Sequence, residues 1–248
     1  MAERDRITRS GQQLATPPVE APLPQGEAKV QAVREMFDAI APRYDLVNRV
    51  MTFRMDVGWR KATVRSLSLS PGAVVVDVAA GTGDLCRQLD AAGLRAVGID
   101  LSWGMLAHAS TDVPLVQADA LRMPFPDGAA GGLTCGFALR NLVDLGAFLT
   151  EAARLLRTGG RMALLEVAAP ANPVLRWGHG VYFGHVVPRI GGLLSDAAAY
   201  RYLPRSVAYL PPTPDLLQLI RDAGFTAVER RALSGGISQL ITATRGTR

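Results

Sequence analysis

Cysteine is nearly absent: the 248-residue chain holds two, Cys86 and Cys135, in apparent secondary structure and without metal-ligand spacing. That argues against a disulfide-stapled secreted scaffold and a zinc site, and it suits a reducing cytoplasm. No run of eighteen uncharged apolar residues occurs either, so a membrane-spanning helix is not expected. The first residues, MAERDRITRSGQQ, lack the apolar centre of a secretory signal. Blocks of like charge are missing too. The 27 Lys and Arg against 22 Asp and Glu leave a formal charge of +5, but the basic residues are scattered. This argues against nucleic acid as a partner and leaves weak attraction to an anionic lipid surface open.

What is present is enough for one domain with a full core, at 48% hydrophobic residues. Residues 1–27, rich in Pro, Gln, Glu and Ala, read as a flexible tail, and 28–248 as a single domain. Val30, Val33, Met36, Phe37 and Ile40 recur at helical spacing until Pro42, and a second helical stretch runs over 45–67. Both are expected to cover a pocket. Strands are expected at 73–79, 95–99, 114–118, 130–136 and 161–168, with helices at 84–92, 102–110 and 144–157. Arg154 and Arg157 should occupy the last turn of the third helix, at the negative end of its dipole. Residues 172–212 read as an insertion, after which Thr213 should cap a helix and two strands, 225–233 and 237–244, form a closing hairpin. The fold class is therefore α/β: a mostly parallel seven-stranded Rossmann-like sheet with helices on both faces, the pattern of a class I methyltransferase.

One glycine is missing where a dinucleotide site needs it. Val74 to Asp84 reads VVVDVAAGTGD, an apolar strand entering a glycine turn, and the next strand ends in Asp100, nineteen residues after Gly81. A pyrophosphate site wants a third glycine, where this chain has Cys86, and Asp84 follows the turn at once. An anion there repels pyrophosphate and tolerates a cationic cofactor, so S-adenosylmethionine is read ahead of NAD. Asp77 is expected to meet the cofactor's ammonium, and Gly81 and Gly83 to let backbone approach its amino-acid part. Thr82 should contact it through backbone and hydroxyl. Asp100 should accept both ribose hydroxyls, while Asp119 accepts from the adenine amine and the Ala120 N–H donates to a ring nitrogen.

Phe137 to Asn141 (FALRN) resembles the F-G-L-R-N signature of the ubiquinone/menaquinone biosynthesis C-methyltransferases. Phe37 to Asn48 (FDAIAPRYDLVN) is similar to that family's F-x-x-I-A-x-x-Y-D-x-x-N, and Leu165-Glu166-Val167 to its L-E-F segment. His185 to Gly191 (HVVPRIG) and Ser195 to Leu203 (SDAAAYRYL) resemble two further blocks, so the resemblance covers about residues 29–236. It implies methyl transfer from S-adenosylmethionine to a ring carbon of a prenylated quinol, demethylmenaquinol foremost. It also implies cofactor contacts at Thr82, Asp100, Asp119 and Ala120. Where the family often has serine before its signature this chain has Gly136, so contact there passes through backbone. The last strand departs from the family, reading GGISQLITATRGTR from Gly235. That leaves two alternatives: a relative acting on another phenolic or polyketide-like ring, and a non-catalytic cofactor-binding scaffold of a quinone-synthesis complex.

Ring-carbon methylation needs a positioned acceptor, a dry pocket and a group to take the hydroxyl proton, and no metal. His185 is the candidate base, since imidazole titrates near neutral pH. Arg140 could stabilise a quinolate or clamp its loop to the insertion, and Asn141 could hydrogen-bond a ring oxygen. Tyr44, Asp45, Tyr200 and Tyr202 are expected along the substrate cavity, and Asp196 beside a base or an arginine. Trp177, Val181, Tyr182, Val186 and Val187, bordered by Arg176 and Arg189, could form an apolar face toward a membrane. The protein is thus expected in the cytoplasm, with transient contact at the membrane surface.

Overall fold

Alternation along β1 (Val74–Val78) sorts the chain into layers. Val75 faces one side, among Val64, Leu67, Leu85 and Leu89, whereas Val76 and Val78 face the other, among Leu133, Phe148, Leu216 and Ile220. A strand apolar on both faces belongs inside a sheet covered on both sides. A computed structural model describes residues 25–194, 199, 202 and 205–247. In it, β2 (Arg95–Asp100) and β3 (Leu115–Gln117) lie to one side of β1, and β4 (Ala130–Gly136) and β5 (Leu156–Val167) to the other. These five strands are parallel. An antiparallel hairpin, β6 (Phe225–Leu233) and β7 (Ser238–Arg245), closes the sheet with β7 against β5, giving the order β3-β2-β1-β4-β5-β7-β6.

Among the described residues three α-helices precede β1: α1 (Gly26–Ile40), α2 (Tyr44–Met51) and α3 (Met55–Ser66). Then α4 (Asp84–Ala91) follows β1, α5 (Trp103–Ala107) follows β2, and α6 (Leu145–Leu155) follows β4. The insertion supplies α7 (Pro173–Val181), a π-helical turn at Tyr182–Val186 and α8 (Val187–Leu194), before α9 (Thr213–Asp222) returns the chain to the sheet. A third apolar cluster, with Ile40, Val47, Met51 and Val187 buried, joins the N-terminal helices to the insertion. That contact makes the two segments one cover over the carboxyl ends of the strands.

Local departures from the expected elements have identifiable causes. The stretch 45–67 is two helices, because Phe53 (φ 51°) and Arg54 (φ 62°) turn left-handed between α2 and α3. Neither residue type signals such a turn. Arg157 lies on β5, which begins at Leu156 directly after α6. Arg154 does sit in the last turn of α6, where it pairs with Glu151 and Asp127 and donates to the Met123 and Phe125 carbonyls. The residue before α9 is Pro212, so Thr213 is the first helical residue rather than the cap.

Candidate active site

In a doubly wound sheet, ligands sit where neighbouring strands lead off in opposite directions, here between β1 and β4. Both strands leave that point through a left-handed residue that is not glycine: Ala79 (φ 54°) after β1 and Phe137 (φ 59°) after β4. Such backbone costs of order 1–3 kcal/mol and persists only where the surroundings hold it. It is held here by Ala80 N–H donating to the Ile99 carbonyl at 2.9 Å and Phe137 N–H to that of Leu165 at 2.6 Å. The result is a cavity lined by Gly81, Asp100, Asp119, Ala120, Gly136 and Asn141, with Val30, Val33 and Phe37 of α1 also in its wall.

Asp100 anchors the cavity. One carboxylate oxygen accepts from Gly81 N–H and the other from Ser102 N–H, each at 2.8 Å, and each keeps acceptor capacity. Burial raises its pKa against the pull of those two amides. Asp119 also lies at the cavity, accepting from Leu121 N–H at 2.9 Å.

Asp77, Thr82 and Gly83 lie beneath or beside this cavity instead of lining it. The Asp77 side chain is fully buried, taking hydrogen bonds from Thr134 Oγ1 (2.7 Å) and Cys86 Sγ (3.5 Å), and burial pushes it up to about 7. It ties β1 to β4 and α4, a different job from meeting an ammonium. Thr82 donates its hydroxyl to Asp45 of α2. Gly83 (φ 84°) opens α4, and a Cβ there would lie 2.7 Å from Thr111 Cγ2. A Cβ at Gly136 would meet Leu85 Cδ1 at 2.9 Å, so Leu85 fills the space a serine side chain would need.

Asp84 is not a bare anion. Arg87 pairs with it directly, and Arg49 (3.4 Å) and Arg60 (3.3 Å) reach it from α2 and α3. Asp45 and Asp56 complete the network. Its charge therefore fastens the cover to the glycine turn, and the inference that it repels pyrophosphate is corrected. Helix α1 is fastened at both ends. Lys29 Nζ donates to the Leu142 carbonyl at 2.7 Å and lies 3.7 Å from the Tyr209 ring centroid, while Asp38 Oδ1 accepts from Gly104 N–H (2.8 Å) and Ser102 Oγ. Gly104 is required: a Cβ there would lie 2.8 Å from the Asp38 Cα.

A second, larger cavity adjoins the first and shares Tyr44 and Phe137 with it. Its wall is mostly apolar, with Phe53, Trp59, Val174, Leu175, Tyr182 and Phe183 prominent. Arg140 reaches it, but the guanidinium is bound to Glu166, to the Phe137 carbonyl (2.7 Å) and to Ser206 Oγ (3.1 Å). The geometry gives Arg140 the clamp role between β4, β5 and the end of the insertion. Asn141 lines the first cavity and accepts from Tyr202 Oη at 3.3 Å. His185 is exposed and lines neither cavity, because the π-helical turn directs it outward. Tyr200 and Asp196 lie outside the described residues. Sequence reasoning passed over His179, which does line the second cavity; its only sequence signal was a place on a helix beside aromatics.

The chain matches the ubiE/COQ5 methyltransferase family over residues 25–245. It is 41% identical to a ubiquinone/menaquinone biosynthesis C-methyltransferase of Syntrophotalea carbinolica, over 87% of this chain and 94% of that one. It is also 42% identical to a demethylmenaquinone methyltransferase of Deinococcus radiodurans, over 88% and 94%. The chain belongs to the ubiE/COQ5 methyltransferase family. It is accordingly an S-adenosylmethionine-dependent methyltransferase with a Rossmann-like fold.

Solved structures support the fold alone. A Haemonchus contortus phosphoethanolamine N-methyltransferase with S-adenosylmethionine matches with a TM-score of 0.56 at 14% identity, over 76% of this chain and 52% of that one. The cyclase SpnF matches with a TM-score of 0.65 at 16%, over 92% and 99%. A cyclase on the same scaffold shows why the site must carry the functional conclusion.

The family's motifs converge on the two cavities. Phe37 lines the first, Asn48 the second, and Tyr44 and Phe137 both, while Arg140 joins the signature to Glu166. The first cavity fits the cofactor chemically. Asp100 keeps acceptor capacity for ribose hydroxyls at the end of β2, and Gly81, where an added Cβ would meet only Met105 Cε at 3.7 Å, leaves backbone open to a close approach. When bound, S-adenosylmethionine supplies an electrophilic methyl group on a sulfonium. Among the described residues no helix is long and apolar enough to cross a membrane, and no acidic, histidine or cysteine cluster could hold a metal ion.

Proposed function

We propose that the chain methylates a ring carbon of a prenylated quinol, converting demethylmenaquinol to menaquinol, with the donor in the first cavity and the acceptor in the second. The observation that carries this is the shared wall. Phe137 and Tyr44 belong to both cavities, so a flat ring seated among Trp59, Phe137 and Tyr182 lies next to the donor space. The left-handed turn at Phe137 and its packing on Trp59, with ring centroids 6.0 Å apart, hold that wall still. Apolar lining excludes water from the acceptor space. The divergent end of the chain touches the acceptor space through Ile237 at its start, and β7 itself runs away from it. Purified protein given S-adenosylmethionine and demethylmenaquinol should yield menaquinol, heavier by one methyl group. Cofactor binding without transfer to any prenylated quinol would overturn the proposal.

An isoprenoid tail needs an exit toward lipid. Phe53 (71% exposed), Val174 (74%) and Leu175 line the acceptor cavity and also face solvent, with Trp177 (73%) beside them on α7. Apolar side chains at the mouth of an apolar cavity suit transient contact with a membrane surface. In a liposome sedimentation assay, Trp177→Ser combined with Phe53→Ser should lower the bound fraction several-fold. Unchanged binding removes the membrane role.

A further inference from the structure

One buried side-chain nitrogen in the wall of the acceptor cavity stands apart from the rest. His179 Nε2 is buried without a hydrogen-bond partner among the described residues. The other polar side chains of the cavity are engaged. Thr52 donates to Asp56 at 2.7 Å, Arg60 pairs with Asp56 and Asp84, and Arg140 pairs with Glu166. Tyr182 Oη donates to the Met51 carbonyl and Ser234 Oγ accepts from Trp59 Nε1, both at 2.8 Å, while Tyr44 is bonded to Asn48. A buried polar atom left unpaired is costly and calls for an explanation. Packing does not supply one. The imidazole stacks on Phe183, with centroids 4.7 Å apart and planes at 36°, and this uses the ring face while Nε2, buried in the ring plane, is left without a partner among the described residues.

Resting on the acceptor placement proposed above, we infer that His179 Nε2 takes the hydrogen bond, and then the proton, of the acceptor's ring hydroxyl. Burial alone lowers the imidazole pKa, so the ring is neutral and able to accept near neutral pH. The nearby ions are already paired, as described, and Tyr44 and Tyr182 are held as phenols by burial. As the O–H bond breaks, its proton moves to Nε2 and electron density builds on the adjacent ring carbon. That carbon forms a bond to the methyl group while the methyl–sulfur bond breaks, its electron pair staying on a neutral thioether. The imidazolium returns its proton to the ring oxygen, Nε2 then takes the ring carbon's own hydrogen as a proton and passes it to solvent as the product leaves, and aromaticity is restored. The net products are methylated quinol, thioether and one proton.

The full-length protein labelled with 15N-histidine tests this without the donor. Addition of 1-naphthol should shift the His179 Nε2 resonance toward the hydrogen-bonded position, and naphthalene, which lacks the hydroxyl, should leave it in place. His179→Gln should keep S-adenosylmethionine affinity by calorimetry within about twofold, lower kcat at least tenfold, and remove the acidic limb of the pH profile. Calorimetric binding of naphthol with no change at Nε2, or a His179→Gln enzyme with unaltered kcat and pH profile, overturns the role of His179 and leaves the function standing. Absence of naphthol binding together with no methylation of demethylmenaquinol overturns both.

Discussion

The first cavity, proposed for the donor, draws most of its lining from residues at or just after strand ends, whereas the second, proposed for the acceptor, draws most of its lining from α2, α3, α7 and the π-helical turn, elements outside the sheet. In the first, two amides hold a carboxylate at a strand end, and backbone geometry leaves the chain little freedom to vary there. In the second, position comes from aromatic area, which many residue combinations supply. Since function lives in the site and not in the fold, the cover over the sheet is the part of this chain that carries acceptor choice under the proposed placement.

Three substitutions would break or sharpen that contrast, the first having the largest expected effect. Asp100→Ala removes the donor anchor, so S-adenosylmethionine affinity measured by calorimetry should fall roughly 100-fold, in line with loss of charge-assisted hydrogen bonds. Naphthol binding should be unchanged, and a matching loss there would mean that the cavities are not separable. Phe137→Ala removes the shared wall while keeping a strained non-glycine backbone. It should lower kcat by about tenfold and weaken both ligands by roughly threefold each, an effect that no residue of a single cavity should reproduce.

Asp77→Asn should have the smallest effect on ligands, within about threefold for the donor, because Asp77 lies beneath the cavity. Its signature is in stability. Burial raises the folded pKa from 3.8 to about 7, so between those values the folded chain holds a proton that the unfolded chain releases. Stability contributed at this position is therefore present in acid and lost as pH rises through that window, by about a few kcal/mol in all. Denaturation midpoints of the native chain should decline over that range more steeply than those of the variant. A donor affinity that collapses in Asp77→Asn would restore the ammonium contact.

The strands from Val74 to Val167 and the closing hairpin were legible because uninterrupted apolar runs between glycine turns admit one period and one place in a sheet. Asp100, Asp119 and Ala120 were legible because a strand end fixes where its next residue points. Asp84 was not: its three arginines come from positions 49, 60 and 87, and no local pattern announces that they meet. His185 and His179 stand six residues apart in the same helical region. The π-helical turn between them shifts the phase of the helix, so a sequence with α-helical periodicity cannot tell which histidine faces inward. Arg140 showed the same limit, since its clamp depends on Glu166 and Ser206, which only the folded sheet and insertion bring together.

Helix α1 is tied down at Lys29 and Asp38, and between those ties it contributes Val30, Val33 and Phe37 to the wall of the first cavity. One side of that space is therefore held by two polar contacts of a helix outside the sheet, and a change at either tie alters the cavity without touching a residue that lines it.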